Sequence, residues 1–151
     1  MAPNFFKPLS LELLVNWCER VATAAPDLPF YYYHMPVMTG VSFSMRTFLE
    51  RAAASIPTLA GIKFTDENLF DFGRAIEFGI GRFELLFGRD EILLAGLALG
   101  ATGAVGSNYN FAAPLFKSIQ FPFASGRMEE AQRHQHQAMR LIALLRRHGG
   151  L

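Results

Sequence analysis

The stretch Leu59-Ala60-Gly61-Ile62-Lys63-Phe64-Thr65-Asp66 decides the fold class. It predicts a short apolar strand with one lysine near its carboxyl end, followed by the start of a helix. Such apolar strands are typical of parallel sheets that are buried on both faces, where charge is normally excluded. Lys63 therefore has two interpretations. Its stem can lie on apolar surface while its ammonium group reaches solvent, or its desolvated amine can act as a nucleophile toward carbonyl compounds.

The composition sets limits on the class of protein. The chain of 151 residues is one domain's worth, and residues 1–151 are expected to form a single unit. Its apolar fraction of 51%, against 18% charged, favours an α/β fold whose strands are covered on both sides. The net charge of +1 supports no nucleic-acid partner. Cys18 is the single cysteine, which excludes an intramolecular disulfide and favours a small buried residue in a helix.

The amino-terminal residues 1–8 lack the charged segment and apolar core of a signal peptide. The longest apolar run, 92–106, is shorter than the roughly 18 to 20 residues that span a bilayer. We therefore expect a cytoplasmic protein with no membrane partner.

Strand and helix patterns alternate along the chain, which predicts crossover connections and a parallel sheet. Strands are expected at 30–33, 59–63 and 83–87, with a short fourth strand within 100–107. Helices are expected from Ser10 to about Ala25, from Ser44 to before Pro57, from a Thr65 or Asp66 cap to Gly79, at 90–99, from Asn108, and from Arg127 to His148. Residues expected to point inward from three of these helices are Leu13, Leu14, Trp17, Val21, Leu69, Phe72, Ile76, Met128, Ala131, Ala138, Leu141 and Leu145.

Polar residues follow or end all four expected strands, and in parallel α/β folds the chemistry lies at the carboxyl ends of the strands. They are Tyr33, Lys63, the group Gly88, Asp90 and Glu91, and Ser107. Each has a purely structural alternative. Tyr33 can be a core aromatic, the acidic pair can favour a helix N-terminus, and Ser107 can be an N-cap. Four such groups on one rim are less readily explained in that way.

Other motifs carry no function. Gly100, Gly103 and Gly106 do not match the spacing of a dinucleotide-binding loop. His134 and His136 lie two apart on a helix and point in different directions, so they cannot share a metal. Arg140, Arg146 and Arg147 are interpreted as a solvated helix end.

Several segments together resemble the N-acetylneuraminate lyase family of class I, Schiff-base-forming pyruvate aldolases. The matching segments are 30–36 (FYYYHMP) with Thr39-Gly40, 61–66 (GIKFTD), 86–91 (LFGRDE) and 100–110 (GATGAVGSNYN). Residues 2–8 are similar to the segment after the family's fourth strand. The resemblance implies an α/β fold, a partial (β/α)8 barrel of about four parallel units that correspond to strands five to eight and are preceded by a helix.

The same resemblance implies roles for individual residues. Lys63 would form the imine with the keto carbon of sialic acid or pyruvate, and Tyr33 would move a proton at the C4 hydroxyl. Thr65, Gly88, Asp90, Glu91 and Ser107 would hold the sugar's hydroxyl chain and the reacting end. The imine is the electron sink, so neither a metal nor an organic cofactor is implied. The expected partners are the small-molecule substrate and, for a complete protein, other subunits of a homo-oligomer, the family's tetramer.

The chain also departs from the family pattern. The Gly-Thr-Thr-Gly-Glu-type loop that binds the substrate carboxylate has no counterpart in the sequence. Met38 stands where a dihydrodipicolinate synthase would carry an arginine, which disfavours a dicarboxylic substrate. Two alternatives to sialic acid cleavage therefore stay open: an inactive half-barrel that only associates with full-length subunits, and an aldolase of the same superfamily for another 2-keto acid.

Overall fold

A computed structural model describes residues 1–3, 5 and 7–150. Within them, four parallel strands form one sheet in the order β1-β2-β3-β4. The strands are β1 (Phe30–His34), β2 (Leu59–Phe64), β3 (Glu84–Phe87) and β4 (Gly103–Ala104). The prediction of about four parallel βα units preceded by a helix is confirmed. Asn4 and Phe6, which belong to the amino-terminal part of the resemblance, lie outside the described residues, as does Leu151.

One helix precedes the first strand, and the others lie between and after the strands. They are α1 (Leu11–Thr23), α2 (Pro36–Thr39), α3 (Met45–Ser55), α4 (Leu69–Gly79), α5 (Leu93–Ala98), α6 (Tyr109–Ala124) and α7 (Met128–Arg147). A single 3-10 turn, Asp90–Ile92, connects β3 to α5. The expected turn at Thr39-Gly40 is the end of the short α2, which Gly40 closes with a φ of 66°.

Two of the predicted helix caps are confirmed and one is wrong. Ser10 and Ser44 accept hydrogen bonds from the backbone of Leu13 and Thr47, as N-cap residues do. Neither Thr65 nor Asp66 caps α4; that position belongs to Asn68, whose side chain accepts from the Asp71 amide at 3.1 Å. Residues 64–68 contain three possible caps, Thr65, Asp66 and Asn68, and β2 extends to Phe64, so Thr65 directly follows the strand.

The predicted inward faces are largely correct, with three exceptions. Leu14, Phe72, Ala131 and Ala138 are buried, whereas Leu13, Val21 and Met128 are 52%, 44% and 41% exposed. The buried stripe of α1 runs instead through Leu14, Val15, Cys18 and Ala22. That stripe packs against α3, and Leu13 and Val21 lie outside it.

The sheet has two different faces because successive residues of a strand point to opposite sides. Tyr32, Ile62, Phe64 and Phe87 point toward α3 and α4 and are at most 1% exposed. Tyr31, Tyr33, Lys63 and Leu86 alternate with them, lie on the opposite face and are only partly covered. The helix-covered face is therefore the core, and Tyr33 and Lys63 of the predicted site lie on the other face.

A second, smaller core lies where α5, α6 and α7 meet. Its buried residues are Leu93, Phe116, Ile119, Ala138 and Ile142. It fixes α7 beside the carboxyl end of β3. Among the helices of the described residues, none combines the length and apolarity needed to cross a membrane.

Candidate active site

The predicted site residues line one cleft at the carboxyl ends of the four strands. The cleft has a volume of about 230 Å³. Its lining includes all seven of them: Tyr33, Lys63, Thr65, Gly88, Asp90, Glu91 and Ser107. Met35, Asn108, Ile142 and Arg146 complete the wall, together with Arg89 and Gly106.

Lys63 and Tyr33 are brought together by strand pairing. They are register partners in the parallel pairing of β2 with β1, one residue before each strand ends. The Lys63 Nζ lies 4.0 Å from the centroid of the Tyr33 ring. Both side chains are partly exposed, so an incoming ligand can reach the amine and the phenol from the same side.

Thr65 and Gly88 form the floor of the cleft between β2 and β3. A hydrogen bond joins the ends of these two strands: the Gly88 amide donates to the Phe64 carbonyl at 2.7 Å. A Cβ at Gly88 would overlap the Thr65 hydroxyl, so glycine is required for the strands' ends to approach this closely. Among the described residues the buried Thr65 Oγ1 has no hydrogen-bond partner, and buried hydroxyls normally have one.

Asp90 is buried at the far end of the cleft, with 4% of its surface exposed. Its Oδ2 accepts from the backbone amide of Asn108 at 2.9 Å and from the Asn108 side-chain amide at 3.0 Å. These bonds join the loop after β3 to the loop after β4. A Cβ at Gly106 would collide with the Asp90 carboxylate, which explains a glycine in the second loop.

Glu91 lies beside Asp90 but in a different electrostatic setting. Its carboxylate pairs with Arg146 of α7 and lies 3.9 Å from Arg89, which also pairs with Glu67. The acidic pair therefore consists of one buried carboxylate held by amides and one partly exposed carboxylate held by guanidinium groups. Arg146 is exposed at the end of α7, as predicted, and its guanidinium additionally reaches the cleft.

The aromatic and imidazole side chains near the cleft have shifted pKa values. Burial, with smaller contributions from Asp90 and Glu91, raises the pKa of Tyr109 above its usual range, so this phenol stays protonated. Burial lowers the pKa of His34, and the opposing effect of Asp66 and Asp71 is smaller. His34 points away from the cleft toward the helices, with its Nε2 at 3.7 Å from Asp66 Oδ2.

Three residues contribute to the cleft or its acidic turn without being predicted site residues: Asn108, Ile142 and Gln135 of α7. Gln135 is 4% exposed and bonds the turn that carries Asp90 and Glu91. Its position four residues after Ala131 and three before Ala138 places it on the buried stripe of α7, which was the available signal.

Two expectations about neighbouring residues can be compared with the structure. Asn108, not Ser107, occupies the cap position of α6, so the capping alternative for Ser107 does not hold. Met38 is 54% exposed on α2 and is not part of the cleft lining, where Met35 is found instead. No three His, Cys, Asp or Glu side chains in the described part of the chain are grouped so as to hold a metal ion.

Parallel βα units that gather their polar residues at the carboxyl ends of the strands define a protein of the (β/α)-barrel class. A model of the dihydrodipicolinate synthetase family matches residues 1–150. The chain therefore belongs to the dihydrodipicolinate synthetase family.

Individual relatives narrow the comparison within the family. The chain is 44% identical over 135 residues to N-acetylneuraminate lyase of Xenopus tropicalis, covering 89% of this chain and 44% of the relative. It is 44% identical over 143 residues to the mouse (Mus musculus) N-acetylneuraminate lyase, covering 94% of this chain and 45% of the relative. The chain thus spans somewhat less than half the length of these curated relatives.

Solved structures give the same assignment of fold. N-acetylneuraminate lyase (sialic acid aldolase) from Aliivibrio salmonicida superposes with a TM-score of 0.93 at 42% identity, over 99% of this chain and 49% of that one. A dihydrodipicolinate synthase from Bacteroides thetaiotaomicron superposes with a TM-score of 0.82 at 28% identity, over 94% of this chain and 47% of that one. The four-stranded sheet therefore corresponds to about half of a TIM barrel.

Proposed function

We propose that the chain provides the lysine-bearing half of an N-acetylneuraminate lyase-type aldolase, which cleaves sialic acid to N-acetylmannosamine and pyruvate. The observation that carries the proposal is the placement of Lys63 Nζ against Tyr33 in a cleft that also contains a buried carboxylate and an unpartnered threonine hydroxyl. The curated relatives named above support the substrate class.

In this proposal Lys63 is the nucleophile. Its amine adds to the keto carbon of the substrate, and loss of water leaves an imine. When the C3–C4 bond breaks, its electron pair moves toward the imine nitrogen and gives an enamine. Protonation of the enamine at C3 and hydrolysis then release pyruvate and restore the amine. The electron sink is the imine, so the reaction needs no metal and no organic cofactor.

Tyr33 would transfer the proton of the C4 hydroxyl. As the C3–C4 bond breaks, the C4 hydroxyl becomes an aldehyde and must give up its proton, and Tyr33 is the acid–base group beside Lys63. A positioned acid–base group of this kind contributes about 10²- to 10⁴-fold to a rate.

The remaining residues would bind the substrate. Thr65 Oγ1 and the backbone near Gly88 would contact the reacting end, since they are next to Lys63 in the cleft. Asp90, Glu91 and Ser107 would bind the hydroxyl chain at the other end. Carboxylate oxygens accept from several hydroxyl groups at once, which suits a polyol. The exposed Met38 offers no cation for a second substrate carboxylate.

Two alternatives have specific support. The sequence contains no Gly-Thr-Thr-Gly-Glu loop and one face of the sheet is only partly covered, which favours a chain that is inactive alone and associates with full-length subunits. The 28% identity to a dihydrodipicolinate synthase keeps open an aldolase for another 2-keto acid. Comparing turnover of the purified chain on sialic acid and on other keto-sugar acids separates all three. The cytoplasmic location and the homotetramer stay predictions.

The test of the mechanism is reductive trapping. Incubation with pyruvate and borohydride should leave a reduced pyruvyl adduct on the peptide that contains Lys63. The chain has three lysines, so Lys63→Arg should abolish the adduct while the exposed Lys117→Arg should leave it unchanged. No adduct on the parent chain, or an adduct that survives Lys63→Arg, rules out the mechanism.

A further inference from the structure

Helix α7 contacts the acidic turn through a buried amide. The Leu94 backbone amide donates to Gln135 Oε1 at 2.8 Å. In return, Gln135 Nε2 donates to the carbonyl of Glu91 at 3.0 Å and lies 3.4 Å from that of Asp90. One side chain thus bonds two carbonyls of the 3-10 turn and one amide in the first turn of α5.

The chemistry of these contacts requires a primary amide. The carbonyls of a short 3-10 turn and the first amides of a helix have no partners within their own element. A buried side chain that satisfies both kinds of group must contain a donor and an acceptor, which glutamine does. Leucine would remove the partner of the Leu94 amide and the bond to the Glu91 carbonyl, while the Asp90 carbonyl would keep its bond from the Leu93 amide; glutamate would retain only the acceptor for Leu94.

A second contact of α7 acts on the Glu91 side chain. Arg146 lies eleven residues after Gln135, which is three helical turns and therefore the same face of α7. Its guanidinium pairs with the Glu91 carboxylate, and Ile142, one turn earlier, is buried in the cleft wall. Gln135 thus holds the backbone of the acidic turn, and Arg146 holds its exposed carboxylate.

We propose that α7 is the element that positions the substrate's hydroxyl chain. Gln135 and Arg146 are positioning residues that set the place of Asp90 and Glu91, and neither takes part in the chemistry at Lys63. The inference rests on the proposed function, because it assigns the hydroxyl chain to the acidic turn. It predicts that α7 governs sugar recognition independently of imine formation.

The experiment uses the whole chain and three variants, Gln135→Leu, Gln135→Glu and Arg146→Met. The matched controls are Gln137→Leu and Arg147→Met, which change exposed residues on the same helix. Three quantities are measured: hydrogen exchange at the Leu94 amide, binding of N-acetylmannosamine by NMR titration, and borohydride trapping of pyruvate on Lys63.

Both Gln135 variants should bind N-acetylmannosamine at least tenfold more weakly, while pyruvate trapping stays at the parent level. Hydrogen exchange at the Leu94 amide should accelerate at least tenfold in Gln135→Leu. It should accelerate less in Gln135→Glu, which retains the acceptor. Arg146→Met should weaken sugar binding without changing exchange at Leu94. The controls should match the parent in all three measurements.

Unchanged sugar affinity in Gln135→Leu and Arg146→Met overturns the inference, even where Leu94 exchanges faster, since the contact would then be structural only. Equal loss of pyruvate trapping and sugar binding also overturns it. If Gln135→Leu does not fold, Arg146→Met decides, because Arg146 is exposed. Absence of any adduct on the parent chain overturns the proposed function instead, and the sugar titration still decides the role of α7.

Discussion

Lys63 and Tyr33 are register partners on neighbouring parallel strands, and the Lys63 Nζ lies 4.0 Å from the centroid of the Tyr33 ring. A cation placed over an aromatic face is stabilised by about 0.5–1 kcal/mol at an exposed site and more when water is excluded. The aromatic ring can therefore orient the amine, and the hydroxyl is the part of Tyr33 available for proton transfer. Substitution can separate these two contributions.

Tyr33→Phe should leave the imine intact and slow cleavage. The variant keeps the ring under Nζ, so trapping of pyruvate on Lys63 should remain close to the parent level. Cleavage of sialic acid should fall by about 10²- to 10⁴-fold, because the proton of the C4 hydroxyl loses its acceptor. Tyr31→Phe is the matched control, since Tyr31 lies on the same face of β1 and its hydroxyl bonds Glu84. Equal cleavage rates in the two variants contradict the role given to Tyr33.

Gly88→Ala should perturb the cleft more than its single methyl group suggests. The added Cβ would overlap the Thr65 hydroxyl and approach the Phe64 carbonyl to 3.1 Å, so the strand ends must separate. We expect a loss of about 1–3 kcal/mol in the free energy of unfolding and weaker binding of pyruvate.

The control for Gly88→Ala is Gly73→Ala in α4. A Cβ at Gly73 would meet only Leu99 Cδ2 at 3.8 Å, an ordinary contact, and alanine is preferred to glycine inside helices by about 1 kcal/mol. Urea denaturation should therefore show a lower free energy of unfolding for Gly88→Ala and a higher one for Gly73→Ala, each relative to the parent chain. Equal stability would show that β2 and β3 tolerate separation at this point.

The parts of this fold that could be predicted from sequence are those set by local patterns. Ser10 and Ser44 cap helices because a hydroxyl precedes an apolar repeat, and the alternation of strands and helices is sufficient to predict a parallel sheet. Helix faces are harder to predict where apolar residues cover more than one stripe. Leu13 and Leu14 are adjacent and chemically identical, and only the position of α3 decides that Leu14 is buried and Leu13 is exposed.

The residues of the candidate site also fall into two groups, those that could be predicted from the sequence and those that depend on tertiary packing. Lys63, Tyr33 and Asp90 could be placed on one rim because parallel strands end at one edge of the sheet. The contacts of Gln135 and Arg146 could not be foreseen, since they join residues more than forty positions apart through the packing of α7 on the loop after β3. The clash of a Gly106 Cβ with Asp90 is likewise a tertiary contact between two loops.

Stability should depend on pH through His34. Burial lowers the pKa of this imidazole below its ordinary value of 6.5, so the unfolded chain binds a proton that the folded chain resists. The contribution of His34 to the free energy of unfolding is fully present above about pH 6.5 and is lost as the pH falls below that value. One such group changes the free energy of unfolding by at most about 1.4 kcal/mol per pH unit.

Urea unfolding between pH 7.5 and 5.5 measures this effect. The parent chain should lose stability toward pH 5.5, and His34→Gln should have a flatter profile because glutamine does not titrate. His136→Gln, at an exposed position of α7, should retain the parent's profile. A His34→Gln profile as steep as the parent's would assign the pH dependence to other groups.

The chain on its own should self-associate through the partly covered face of its sheet. Within the described residues, the outer edges of β1 and β4 are unpaired, and Leu86 lies on the partly covered face beside its register partners Lys63 and Gly103. Open edges and apolar surface of this kind are paired or covered in a closed barrel, and they promote association when exposed. Light scattering coupled to size exclusion over a concentration series should therefore show species larger than a monomer.

Leu86→Lys places a charge on that face and should raise the concentration needed for association roughly tenfold, equivalent to about 1.4 kcal/mol. Leu144→Lys, at a 51% exposed position of α7, should have no such effect. A monodisperse monomer of the parent chain at all concentrations is the result that contradicts this prediction, because it would mean that the open sheet is soluble without a partner.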